Sequence, residues 1–261
     1  MTIGVFDSGL GGLAIARAIA ERLPAYDYLY LGDTKRVPYG NRSQETIHSF
    51  TARALDFLFE NDCRLVVIAC NTASAESLRK SQQEYLPRNY PDRRILGVII
   101  PTAEAAVEAG GRHVGVLATM STVESGAYER ELKRQCSEVT VVQRPAPLLV
   151  PIIENDGLKY VGPILDDYLE GFESVDSLIL GCTHYSVIKD EVRRRYRGPV
   201  VSSDEVVPPK LADYLRRHPE IEETLSKRGR RRYCVTDLTS SYAAFAGRLM
   251  GGELPLEVVS I

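Results

Sequence analysis

Two cysteines each close an apolar run: Leu65-Val66-Val67-Ile68-Ala69 leads into Cys70, and Ser177-Leu178-Ile179-Leu180-Gly181 leads into Cys182. A thiol where a strand ends and a helix begins meets free backbone N–H groups and the positive end of the helix dipole. Both favour thiolate over thiol and move the group toward basicity useful near neutral pH. The chemistry such a sulfur does best is proton transfer. Taken singly, either cysteine is equally well a small core hydrophobe. Taken as a pair at matched places in two related segments, they read as acid/base thiols.

The neighbouring residues fit that reading. Asn71-Thr72 and Thr183-His184 follow the two thiols and supply amide, hydroxyl and imidazole donors, beside helix N-terminal N–H groups suited to a carboxylate. Plain N-capping accounts for the threonines as readily, and both uses share one geometry. His184 stands where it could exchange protons beside Cys182. Asp7-Ser8-Gly9-Leu10-Gly11-Gly12 follows the first apolar run, with glycines that allow close backbone approach to a ligand. The spacing is not Gly-x-Gly-x-x-Gly, and Asp7 would repel a pyrophosphate and suits an ammonium group. Asp33-Thr34-Lys35-Arg36-Val37-Pro38-Tyr39-Gly40 is a loop offering an aromatic ring and an open backbone N–H from Tyr39 and Gly40; ordinary turn chemistry also explains it.

These residues need strands to end on and helices to begin. Short apolar runs at 2–6, 27–31, 64–69, 95–99, 113–118, 139–143, 176–180, 199–202, 232–236 and 256–259 alternate with helical periodicity, the pattern of βα units around parallel sheets. Ser43 is the expected N-cap of a helix with Ile47, Phe50, Ala54, Phe57 and Leu58 along one stripe. An internal repeat organises the chain. Ile3-Gly4-Val5-Phe6-Asp7 matches Val114-Gly115-Val116-Leu117-Ala118, and the run into Cys70 matches the run into Cys182; 115 − 4 is 111 and 182 − 70 is 112. One shared offset implies two copies of a lobe. The expected fold class is α/β, two similar lobes, each a mostly parallel sheet flanked by helices, related by a pseudo-two-fold axis with the site between them. The first lobe is expected over 1–97 plus 207–261, taking the carboxyl-terminal strand into its sheet, and the second over 98–206.

Composition narrows the partners. With 32 basic and 35 acidic residues the net charge is −3, which gathers neither nucleic acid nor anionic lipid, and small molecules are the expected partners. No secretory leader or membrane-length apolar run is evident, and no regulatory segment is expected ahead of the first strand. Five scattered cysteines then point to reduced cytoplasmic thiols rather than a disulfide framework. Cys63, Cys136 and Cys234 read as packing residues, without the spacing of a metal site. The basic run Lys227-Arg228-Gly229-Arg230-Arg231-Arg232 reads as a solvated loop.

Asp7-Ser8-Gly9, Pro38-Tyr39-Gly40, Ala69-Cys70-Asn71-Thr72-Ala73 and Gly181-Cys182-Thr183-His184-Tyr185 together resemble the bacterial glutamate racemase family, across nearly the whole chain. Ser186, where that family usually has proline, and Ile100-Pro101-Thr102, where Glu-Pro-Gly is usual, depart from its pattern. The resemblance implies two pseudo-symmetric lobes, no cofactor, a homodimer, and supply of D-glutamate for peptidoglycan. It implies that Cys70 takes the α-proton of D-glutamate and Cys182 that of L-glutamate, each returning a proton on the opposite face. By the same resemblance Asp7, Ser8, Tyr39, Gly40, Asn71, Thr72, Thr183 and His184 hold the amino acid, with Asp7 and His184 assisting the thiols. Other readings compatible with the residues are a two-thiol racemase of aspartate or a related acid, a hinged binding module without catalysis, and a thiol redox protein.

Overall fold

The computed structural model describes residues 1–261. Its strands are β1 Thr2–Asp7, β2 Tyr28–Gly32, β3 Cys63–Ile68, β4 Arg94–Gly97, β5 His113–Ala118, β6 Thr140–Pro145, β7 Ser177–Gly181, β8 Val200–Ser202, β9 Arg231–Val235 and β10 Glu257–Val258. All ten apolar runs read from the sequence form strands. The central ones, β1, β2, β3, β5 and β7, are buried almost throughout, as strands covered by helices on both faces must be. That is why they read as unbroken apolar stretches.

The strands make two all-parallel sheets, in the orders β10-β9-β2-β1-β3-β4 and β6-β5-β7-β8. Within each, the chain steps from a central strand to one side, then returns to the other side of it. The order β2-β1-β3-β4 in the first sheet is repeated as β6-β5-β7-β8 in the second, so the duplication seen in the sequence is present in the topology. Strands β9 and β10 extend the first sheet at β2. An open parallel sheet binds ligands where its strand order reverses, at the carboxyl ends of the strands. Those points lie between β1 and β3 in one sheet and between β5 and β7 in the other.

The apolar interior is continuous from one sheet to the other, joining Ile3, Leu65 and Val67 with Leu178, Leu180 and Tyr185. The helix Ser203–Arg217, which contains residue 207, packs against both Leu13–Arg22 and Ile99–Glu108. The helix Gln44–Glu60 starts at Ser43, whose side chain accepts from Thr46 N at 3.3 Å, and buries Ile47, Ala54 and Leu58. Lys227, Arg228, Gly229 and Arg230 form the exposed loop read from the sequence, and only the last two arginines depart from it. Arg231 and Arg232 belong to β9, Arg230 pairs with the buried Asp27 at 2.8 Å, and Arg232 pairs with Glu257 at 2.8 Å. Strand pairing and nearby carboxylates hold these cations down. No helix is long and apolar enough to cross a membrane, and all five cysteines are free thiols.

Candidate active site

A cavity of about 270 Å³ lies between the sheets, bounded by the segments that follow β1, β2 and β3 on one side and β5, β6 and β7 on the other. Both switch points therefore open into one space. Cys70 and Cys182 both line it, with 5% and 8% of their surface exposed. The requirement that the two thiols share a cavity is met.

Cys70 caps the helix Asn71–Lys80: its sulfur accepts from Ala73 N at 3.3 Å and lies 3.2 Å from Ser8 Oγ. Burial nevertheless pushes this thiol up to about 12, assisted by the Asp7 carboxylate and opposed by Ser8 and the Ala73 N–H. Burial here outweighs the pull of the helix start toward thiolate. A helix terminus is worth about a kcal/mol, and the cost of putting charge into this dry site is larger. A stability consequence follows. In the unfolded chain the thiol ionises near 9.0, whereas the folded protein holds the proton to about 12. The unfolded state binds fewer protons in that window, so stability present below pH 9 is lost as pH rises toward 12. Burial pushes the Cys63 thiol up to about 12 as well, so the comparison with a non-titrating variant isolates the effect. Cys70→Ser is expected to lose stability less steeply than the wild type across this range in denaturant titrations; parallel slopes would show that Cys70 carries no such burden.

Cys182 starts a helix, as read from the sequence, and that helix is the 3-10 turn Thr183–Ile188. Its sulfur is 3.8 Å from His184 Nδ1, and His184 Nε2 is 2.9 Å from Glu154 Oε1. Burial alone would lower the imidazole pKa, but its bonds to Cys182 and Glu154 outweigh that and push it up to about 10. We place most of that rise on Glu154, whose contact is short. The ring of Phe245 stacks on His184 at 5.8 Å and 4°, which fixes its plane. The imidazole is thus held with one edge toward the Cys182 sulfur. Ser186 Oγ donates to Thr183 O at 2.8 Å, closing the turn behind the thiol.

Ser8, Tyr39, Gly40, Asn71, Thr72, Thr183 and His184 all line the cavity. Asp7 does not. It is fully buried, with Oδ2 accepting from Gly9 N at 3.2 Å and Gly12 N at 3.0 Å, while Oδ1 has no partner. Burial raises its pKa, against the lowering effect of His184 and those N–H groups. The glycines thought to admit a ligand instead admit protein. A Cβ on Gly12 would lie 2.5 Å from Asp7 Cβ, and one on Gly11 would lie 2.5 Å from Thr183 Oγ1 and 2.7 Å from His184 Nδ1. Bare backbone at Gly11 lets the first lobe seat against the residues that follow Cys182.

Tyr39 also differs from its reading as an aromatic offered to a ligand. Its hydroxyl donates to Asp33 Oδ2 at 2.7 Å, and its ring packs on Phe6 and Phe50. Asp33 holds the loop further through Arg36 at 3.0 Å and Thr236 at 2.8 Å. Gly40 brings the loop against the second lobe, where an added Cβ would be 3.1 Å from Thr119 Cβ.

Thr119, Thr122 and Glu154 were not singled out in the sequence. Thr119 lies 2.9 Å from Thr72 Oγ1 and 2.8 Å from Thr122 Oγ1, and caps the helix Met120–Glu124. The repeat could have revealed it, because 8 + 111 is 119 and Thr119 is the counterpart of Ser8. Glu154 has no such signal. No lysine or arginine lines the cavity. An anion held here would be met by hydroxyls, an amide and the N–H groups of three helix starts, at Asn71, Met120 and Thr183.

Comparison with known proteins agrees with this architecture. Residues 3–207 match the model of the Asp/Glu/Hydantoin racemase family. A curated glutamate racemase from Geobacter metallireducens is 39% identical over 97% of this chain and 93% of its own length. The crystal structure of a glutamate racemase from Bacillus anthracis superposes with a TM-score of 0.90 at 31% identity, covering 100% of this chain and 97% of that one. The structure of the Francisella tularensis glutamate racemase in complex with D-glutamate gives 0.89 at 30% identity, covering 99% and 97%. The chain belongs to the Asp/Glu/Hydantoin racemase family, among its glutamate racemases.

Proposed function

We propose that this protein interconverts L- and D-glutamate without a cofactor, by proton transfer between Cys70 and Cys182 on opposite faces of the α-carbon. The observation that carries this reading is that both thiols, one from each sheet, open into a single cavity lined with hydroxyl and amide donors and the paired His184 and Glu154. Glutamate is what the related proteins' names and complexes specify.

With L-glutamate bound, the Cys182 thiolate takes the α-proton and the Cys70 thiol delivers its own to the other face. The electron pair left on carbon by the first transfer accepts the second proton, and the two sulfurs exchange protonation states. D-glutamate runs the same steps in reverse. The Cys182 thiolate is held by His184, kept cationic by Glu154. Cys70, buried beside Asp7 and Ser8, retains its proton until substrate arrives, as its high pKa requires; the substrate ammonium then offsets the charge a Cys70 thiolate would carry. Asn71, Thr72, Ser8, Gly40 and Thr183 grip the carboxylates, and Tyr39 supports the loop that closes over them. Asp7 acts from behind the cavity through Cys70 and His184. Rate enhancements by enzymes need on the order of 8 to 23 kcal/mol of barrier lowering, so water exclusion and these aligned donors must stabilise the developing carbanion.

The lobes are proposed as 1–97 plus 207–261 and 98–206, with Ser203–Arg217 packed against helices of both. A cytoplasmic homodimer supplying D-glutamate for peptidoglycan completes the reading; it uses no metal or nucleic acid.

Purified protein incubated with L-glutamate in heavy water tests it. Early D-glutamate is expected to carry deuterium at the α-position while the remaining L-glutamate carries hydrogen, because the departing and arriving protons use different sulfurs. Equal early labelling of both enantiomers would contradict two bases. No loss of optical rotation would remove the activity altogether, and a parallel assay with L-aspartate discriminates the nearest alternative substrate.

A further inference from the structure

Tyr128 is fully buried on the helix Ala127–Gln135, and the proton transfers proposed above make no use of it. Its position is unusual in touching the neighbours of both thiols. The phenol donates to Asn71 Oδ1 at 2.6 Å, on the residue that follows Cys70. The ring lies against Gly181, the residue before Cys182, where an added Cβ would come 3.1 Å from Tyr128 Cε2. One rigid side chain therefore spans from the end of β7 to the helix that starts after β3.

Asn71 is 2% exposed and lines the cavity, yet its Nδ2 is buried without a partner. A buried N–H left unpaired costs about 1–3 kcal/mol, a cost that is relieved when a ligand oxygen fills the place. An amide has an accepting end and a donating end. A phenol that donates to the oxygen forces the nitrogen to the other side. Thr102 and Ser203 stand in the helices Ile99–Glu108 and Ser203–Arg217, which follow β4 and β8 at the two crossings between the sheets. Thr102 is itself tied down, donating to Val98 O at 2.6 Å with Ser203 Oγ at 3.2 Å.

We propose that Tyr128 is a positioning residue, which sets the span between the two thiol-bearing segments and turns the Asn71 amide nitrogen into the cavity to donate to a substrate carboxylate. The assignment rests on the racemase reading. Tyr128→Phe keeps the ring against Gly181 and removes only the hydroxyl. Its kcat/KM for glutamate is expected to fall about tenfold, as the loss of one buried hydrogen bond gives, with most of the change in KM. In an Asn71→Ala background the same substitution should change KM less than about twofold, since neighbouring residues that act as a unit are not additive. Asn71→Asp keeps an acceptor for the phenol but removes the nitrogen, and should reproduce the rise in KM even if the phenylalanine variant folds poorly. A wild-type KM in Tyr128→Phe or in Asn71→Asp, or an equal Tyr128→Phe effect in both backgrounds, overturns the proposal while leaving the racemase reading in place. A wild-type protein that does not racemise glutamate overturns both.

Discussion

Serine at position 70 or at position 182 is expected to lower racemisation by on the order of 10³-fold or more, the size of a lost general base. A hydroxyl of nearly the same shape keeps the cap on Ala73 N at position 70 and the small volume at position 182. Far-ultraviolet circular dichroism and thermal unfolding at neutral pH should therefore remain near wild type. The two losses must also be equal in both directions when expressed as kcat/KM. L- and D-glutamate have the same free energy in water, so no variant can favour one over the other at equilibrium. What each variant can retain is partial chemistry on one face. With Cys182 intact, Cys70→Ser should still exchange the α-hydrogen of L-glutamate with heavy water, slowly and without inversion. Cys182→Ser should do the same for D-glutamate. Polarimetry together with proton NMR reads both results, and either variant racemising near the wild-type rate would mean that its sulfur is not a base.

Substitution of His184 is expected to have the next largest effect. His184→Asn removes the cation held against Cys182 and should reduce kcat/KM by about 10², at the lower end of the range for acid/base groups because the thiol itself remains. Its signature is an asymmetry in isotope effect. The step in which Cys182 removes the α-proton becomes harder, so the deuterium isotope effect should grow more for α-deuterated L-glutamate than for the D-enantiomer. The pH profile provides a second check. The raised imidazole pKa, near 10, keeps the cation through neutral pH, and activity should decline as pH rises past that value. Glu154→Gln removes the negative partner at 2.9 Å, lowers the imidazole pKa, and should move the alkaline limb to lower pH. An unmoved limb would show that another group, not His184, sets it.

Much of the architecture was readable because its signals are local. A strand buried on both faces is an apolar run ended by polar or small residues, and each such run is a few residues long and needs no knowledge of its neighbours. The two thiols, the capping position of Cys70 and the duplication follow from such runs and their common offset. That Ser8, Asn71, Thr72, Thr183 and His184 would line a cavity was also readable, because each lies within four residues of a strand end, and strand ends of parallel sheets gather ligands.

What tertiary structure alone decided involves contacts between distant parts of the chain. The strand orders, and so the meeting of both switch points in one cavity, depend on which run pairs with which. Asp7 stands outside the cavity lining because the backbone at Gly9 and Gly12 claims its carboxylate. The Tyr39 hydroxyl turned to Asp33, Glu154 reached His184 across 30 residues, and Tyr128 reached Asn71 across 57. Hydrogen bonds between side chains so far apart leave no periodicity and no motif. They form only once the packing of the two sheets brings a donor within 3 Å of its acceptor.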